Sequence, residues 1–232
     1  MSARIRVRAV TLDATHTLLH APRLAEIYTE VLQRHGATIG VERVAPLLSI
    51  VWQELGCRHA AGEDRLSAHA EGPRGFWREY LERLCALAEL PPPSRFAAAE
   101  LFDRFAHPDS WEVYPDVEPA LAELRRRGLR LAVVSNWDDR LPRLLERLAL
   151  AGYFDAIVHS TAIGIEKPHP AIFTAATTAL GVEPEETVHV GDSRRDDVEG
   201  AEGAGLGALW LERSGKGDLA DLRELPRRLG LA

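Results

Sequence analysis

From residue 116 onward the chain alternates helical and extended patterns without interruption. "DVEPALAELRRRG" has helical spacing and ends at Gly128, and "LRLAVVSN" follows as a buried strand. "DRLPRLLERLAL" leads to the strand "FDAIVHS", "HPAIFTAATTALG" to "TVHVGD", and "RDDVEGAEGAG" to "GALWL". Alternation of this kind predicts a parallel sheet with helices on both faces. Residues 6–12, "RVRAVTL", read as one more buried strand of that sheet.

Between this first strand and the rest, the pattern is helical throughout. "RLAEIYTEVLQRHG" is amphipathic and stops at Gly36. "VERVAPLLSIVWQEL" carries Pro46, which predicts a kink or a late start. "GFWREYLERLCALAEL" is stopped by Pro91–Pro93, and "SRFAAAELFDRFA" takes Ser94 as its N-cap. The fold class is therefore α/β: a Rossmann-like parallel sheet flanked by helices, with an inserted all-helical domain. The expected boundaries are 1–19 and 108–232 for the sheet domain and 20–107 for the insert.

The totals exclude several classes of function. The net charge is −7, so no basic footprint for nucleic acid is expected. No apolar run approaches the roughly 20 residues of a membrane helix. The basic start "MSARIRVRAVTL" has too short an apolar stretch for a signal peptide and reads as a core strand. Cys57 and Cys85 lack metal-ligand spacing and read as reduced thiols. The expected location is cytoplasmic. Of 28 basic residues only Lys167 and Lys216 are lysines, so a lysine here calls for a reason that arginine does not meet.

In parallel sheets, ligands bind at the carboxyl ends of the strands. The polar residues that fall there are Asp13, Ser135, Asn136 and Asp192, with Lys167 in a loop nearby. Asp192, Asp196 and Asp197 crowd six residues, and hard oxygen ligands on strand-end loops suit Mg²⁺. The alternative is that Asp196 and Asp197 complement a helix N-terminus; it accounts for one of them and poorly for Asp192. Ser135 and Asn136 either bind phosphate oxygens together with helix N–H groups or simply cap a helix; both readings stand on these residues alone. Lys167 precedes Pro168, which favours an extended backbone, and its compact ammonium suits a carboxylate and a phosphate oxygen at once. Of nine histidines only His16 has a suggestive neighbourhood; the others, His189 included, receive no role.

Together these stretches resemble the haloacid dehalogenase superfamily of hydrolases, over nearly the whole chain. Asp13-Ala14-Thr15-His16-Thr17 is similar to the Asp-x-Asp-x-Thr motif of its phosphatases. Ser135 matches the second motif, Lys167 in "EKPHPAIF" the third, and "GDSRRDDVEGA" the fourth, with Asp192 and Asp197 at its acidic positions. The resemblance implies that residues 20–107 form a small helical cap that closes over the site. It implies that Asp13 attacks phosphorus to give an aspartyl-phosphate. Mg²⁺ would be held by Asp13, the Thr15 carbonyl and Asp192, with Asp197 a direct ligand or one step removed. Ser135 and Lys167 would hold the transferring phosphoryl group, with Asn136 and Thr15 beside the substrate, a small phosphorylated metabolite. Nothing in the sequence reads out the oligomeric state.

The chain departs from the phosphatase motif at Thr15, where the second aspartate, the general acid and base, would stand. The resemblance implies slow turnover, since losing such a group typically costs about 10²–10⁴ in rate. His16 is a conceivable substitute one position late. Two other readings remain: a 2-haloacid dehalogenase in which Asp13 attacks carbon without a metal, and a non-catalytic descendant that binds a ligand or partner.

Overall fold

The computed structural model describes residues 7–56 and 62–231. Cys57 and His59 lie outside the described residues. The chain divides into two compact units: residues up to His20 together with those from Val113 onward, and Ala21–Glu112.

The first unit is built on strands β1 (Ala9–Leu12), β4 (Arg130–Ser135), β5 (Ala156–His159), β6 (Thr187–Gly191) and β7 (Gly207–Trp210). They form one sheet in the order β5-β4-β1-β6-β7, and every pairing is parallel. Leu12 is level with Val133 on one side and Val190 on the other. β1 is buried along its whole length, as is β4 after its first residue. That explains their continuous apolar runs, since a parallel sheet is covered on both faces. Helices α5 (Val117–Arg126), α6 (Leu141–Arg147) and α8 (Pro170–Leu180) join the strands, and α7 (Ser160–Ile163) is a single turn after β5. After α9 (Gly200–Gly203) and β7, the described chain ends with α10 (Leu225–Arg228). A separate two-stranded ribbon pairs β2 (Leu19–His20) with β3 (Glu112–Val113).

The second unit contains α1 (Leu24–Arg34), α2 (Val41–Gly56), α3 (Gly72–Leu87) and α4 (Arg95–Arg104). They enclose a core of their own that includes Val31, Leu48, Val51, Phe76, Leu81 and Leu84. Ser94 caps α4 as expected, its hydroxyl accepting the Ala97 N–H at 3.1 Å. Pro46 does not delay α2, which begins at Val41 and continues through the proline. Pro46 is the sixth residue of the helix, so α2 forgoes the bond that residue 46 would otherwise donate to the Glu42 carbonyl. No described helix is long and apolar enough to cross a membrane.

Two sequence expectations change. "RDDVEGAEGAG" does not form one α-helix: Arg194–Glu199 is a π-helix, and only Gly200–Gly203 is α-helical. Wide turns of this type gather at functional sites. Here the turn lets Asp197 fold back so that its Oδ2 accepts the Ser193 N–H at 2.8 Å. The helix after β4 begins at Leu141, two residues later than the pattern "DRLPRLLERLAL" suggests. Neither Ser135 nor Asn136 is its N-cap, a position that falls to Arg140.

The π-helix leads into Gly200, which packs against the loop carrying Lys167. A Cβ built on Gly200 would lie 2.9 Å from Pro168 Cα and 3.0 Å from Phe173 Cε2. Backbone cannot yield as a flexible side chain does. Gly200→Ala should therefore destabilise the protein by about 1–3 kcal/mol, the range for overpacking a filled site. A urea melt that shows an unchanged or raised midpoint for this variant would contradict the packing described.

Candidate active site

The sheet order places β1 between β4 and β6, so the chain's path reverses around β1. Crevices at such points, beyond the carboxyl ends of the strands, are where open parallel sheets bind ligands. Asp13 follows β1, Ser135 closes β4, and Asp192 follows β6. The fold thus brings together residues that lie far apart in sequence.

Lys167 sits at the centre, 3% exposed. Its Nζ donates to Asp13 Oδ1 and to Asp197 Oδ1, both at 2.6 Å. Ser135 Oγ donates to the same Asp13 oxygen at 2.8 Å. Among the described residues no hydrogen bond reaches Asp13 Oδ2. Asn136 does not face outward for a ligand with a free amide. Its Nδ2 donates to the Lys167 carbonyl at 3.1 Å and its Oδ1 accepts the Lys167 N–H at 2.7 Å. The amide therefore clamps the lysine backbone, which fixes where the ammonium can reach.

Asp197 is also held from behind. His189 Nε2 lies 3.0 Å from Asp197 Oδ1, and His189 Nδ1 lies 2.8 Å from the Thr11 hydroxyl. All three side chains are buried. Desolvation by burial lowers the His189 pKa despite the opposing pull of Asp197. The neutral ring then donates from Nε2 to Asp197 and accepts the Thr11 O–H at Nδ1. His189 is a residue that sequence reasoning missed. The visible signal was a histidine in the middle of an otherwise apolar strand. Gly191 belongs to the same arrangement, because a Cβ there would come within 2.1 Å of Asp197 Cγ.

Thr15 is half-buried and His16 exposed. The indole Nε1–H of Trp137, another residue missed from the sequence, donates to Thr15 Oγ1 at 2.8 Å. His16 has a left-handed backbone, φ 65°, and among the described residues no hydrogen bond joins it to Asp13.

Asp13, Asp192 and Asp197 each offer a carboxylate oxygen, and the three lie within 4.8 Å of one another. Burial would raise the Asp197 pKa, but Lys167 and His189 outweigh it and hold this carboxyl well below its ordinary value. Lys167 is held above its usual value: burial lowers it, and the two carboxylates more than compensate. Asp13 is raised, chiefly by burial, with Lys167 opposing. Asp192 is pushed up to about 7, by burial first and then by Asp13 and Asp197. One ammonium thus bonds two of the three carboxylates, and its pull on Asp192 is too weak to offset burial and the two neighbouring acids. A divalent cation fits such a donor set: hard oxygens, and two negative charges in excess of what lysine balances when all three are ionised. Asp196 lies on the π-helix with its N–H on Ser193 Oγ and is not part of this set.

The Asp192 shift fixes a pH dependence. A carboxyl raised in the folded state stabilises it while the proton is held, and the advantage is lost as pH rises through the folded value. Metal-free protein should lose stability between about pH 4 and 7, and Asp192→Asn should lose much less over that window. Thermal melts in chelator at pH 5 and pH 8 read the difference directly. Parallel pH profiles for the two proteins would show that Asp192 is not the strained acid.

A family model for haloacid dehalogenase-like hydrolases matches residues 7–205. Haloacid dehalogenase-like hydrolase domain-containing protein 3 of Mus musculus is 31% identical over 230 residues, 98% of this chain and 90% of the relative. A phosphoserine phosphatase from Thermus thermophilus is 40% identical over 138 residues, 59% of this chain and 54% of its own length. Among solved structures, a 2-haloacid dehalogenase from Pseudomonas syringae superposes with a TM-score of 0.67 at 26% identity, covering 97% of this chain and 99% of the other.

Proposed function

Because the chain belongs to the haloacid dehalogenase-like hydrolases, matched over residues 7–205, we propose that it is a Mg²⁺-dependent phosphatase. It hydrolyses the phosphate ester of a small metabolite through an aspartyl-phosphate on Asp13. The observation that carries this reading is the three-carboxylate cluster of Asp13, Asp192 and Asp197 around a single buried lysine. Phosphatases among its relatives support it.

Asp13 Oδ2, the oxygen without a hydrogen bond among the described residues, attacks phosphorus, and the bond from phosphorus to the ester oxygen breaks. Ser135 and Lys167 hold Oδ1, which aims the carboxylate, and they stand ready for the oxygens of the transferred group. A water then attacks phosphorus, and Asp13 is released with inorganic phosphate, so one hard step becomes two easier ones. Asp13, the Thr15 carbonyl and Asp192 would hold Mg²⁺. Asp197, whose oxygens also take Lys167, His189 and the Ser193 N–H, would be a direct ligand or stand one step removed, holding the lysine. When bound, the ion supplies Lewis-acid neutralisation of the phosphoryl charge.

Thr15 limits the rate. Its hydroxyl cannot exchange protons near neutral pH, so the departing oxygen takes its proton from water. Aryl phosphates, which need no protonation on leaving, are therefore the better substrates. The dehalogenase reading would use the same Asp13–Lys167 pair, but it gives Asp192 no partner for its displaced charge. The non-catalytic reading leaves unexplained why a nucleophile, its two donors and the lysine clamp are all assembled.

A turnover screen over aryl and alkyl phosphates and 2-haloacids, with Mg²⁺ and with EDTA, tests the proposal. Mg²⁺-dependent release of phosphate is expected, Asp13→Asn should reduce it to background, and Thr15→Asp should raise the alkyl ester rate by at most about 10²–10⁴. Repulsion between the new carboxylate and its acidic neighbours would reduce that gain. Full activity in EDTA, or halide release in place of phosphate, would favour the dehalogenase chemistry.

A further inference from the structure

Trp137 is built into the site more firmly than a residue following a strand needs to be. Its N–H donates to the Ser135 carbonyl at 2.9 Å, and its own carbonyl accepts from the Thr161 N–H at 3.2 Å and from Ser160 Oγ at 3.1 Å. The Arg140 guanidinium lies 6.0 Å from the ring centroid. That guanidinium is in turn fixed by the buried Asp138, with contacts of 2.7 and 2.6 Å. The Trp137 backbone is thus fixed at both its N–H and its carbonyl, the Arg140 guanidinium lies by the ring, and the indole N–H donates to Thr15 Oγ1 at 2.8 Å.

An indole nitrogen can only donate, so in this pair the threonine oxygen must accept. Among the described residues nothing accepts the hydroxyl hydrogen of Thr15. A threonine held in this way keeps its hydroxyl hydrogen pointed away from the indole and available to donate elsewhere. We propose that Trp137 is a positioning residue that orients the Thr15 hydroxyl to donate a hydrogen bond to the bridging oxygen of the bound phosphate ester. This rests on the phosphatase reading and deepens it. The hydroxyl transfers no proton. It stabilises the negative charge that gathers on the leaving oxygen, and it does so most where that charge is largest, in alkyl esters. Preorganised donors aimed at developing charge act in the transition state rather than in binding.

The test compares Trp137→Phe, Thr15→Val and the double variant on p-nitrophenyl phosphate and on glycerol 2-phosphate. Trp137→Phe keeps the ring and removes the N–H. The expected result is a kcat loss of about tenfold on the alkyl ester, the scale of one hydrogen bond in a protected site, with KM little changed and the aryl rate nearly intact. The double variant should be no slower than Thr15→Val, because the indole acts only through the hydroxyl. The side-chain N–H resonance of Trp137 should shift in Thr15→Val protein. Equal losses on both esters, additive losses in the double variant, or an unmoved indole resonance would each overturn the proposal. If Trp137→Phe fails to fold, Thr15→Val with the indole resonance decides the matter alone. Wild-type protein that cleaves neither ester overturns the phosphatase reading and the leaving-group role together. Failure of this inference alone shows as normal turnover with an alkyl-to-aryl ratio that Trp137→Phe leaves unmoved.

Discussion

A single buried ammonium organises the candidate site. Lys167 lies between Asp13 and Asp197 at 2.6 Å from each, and all three side chains are withdrawn from water. Burying an ion costs several kcal/mol even when it is paired, so such an arrangement persists only if its geometry is over-determined. Here it is. The lysine backbone is clamped by both ends of the Asn136 amide, and the following proline is wedged against Gly200. Asp197 is held by His189 and the Ser193 N–H, and Asp13 by Ser135. The supports come from the end of β4, from β6 and the turn after it, and from α9, so the parallel sheet holds the site.

The preference for lysine at 167 follows from this geometry. One nitrogen meets two carboxylate oxygens from different elements at the same short distance. A planar guanidinium distributes its donors over a rigid fork suited to one carboxylate at a time. In a chain that otherwise writes positive charge almost always as arginine, position 167 needs a point charge that rotates.

Much of this was legible in the sequence. Asp13, Ser135 and Asp192 announce themselves because each interrupts or follows an apolar run, and burial of an acid there is too costly to be accidental. Lys167 was legible through composition. Other features could not be read, because their meaning lies in partners distant along the chain. Asn136 looked like a phosphate ligand or a cap, yet it serves a backbone 31 residues away. His189 was one histidine among nine until the sheet put it behind Asp197. Trp137 gained its role from Thr15, 122 residues earlier. The π-helix was invisible because helical spacing cannot distinguish a turn widened by one residue, and only the tether of Asp197 to Ser193 explains it.

These supports fix Lys167 and, through Ser135 and Lys167, Asp13 Oδ1; the other Asp13 oxygen has no hydrogen bond among the described residues. Trapping a covalent phosphoryl group there is the most direct test. The protein would be mixed with Mg²⁺ and an aryl phosphate, quenched in acid, digested and weighed by mass spectrometry. The expected result is a phosphoryl mass increment confined to the peptide containing Asp13, labile in mild base and absent from Asp13→Asn. Steady phosphate release with no adduct on that peptide, or an adduct on another residue, would contradict the central claim.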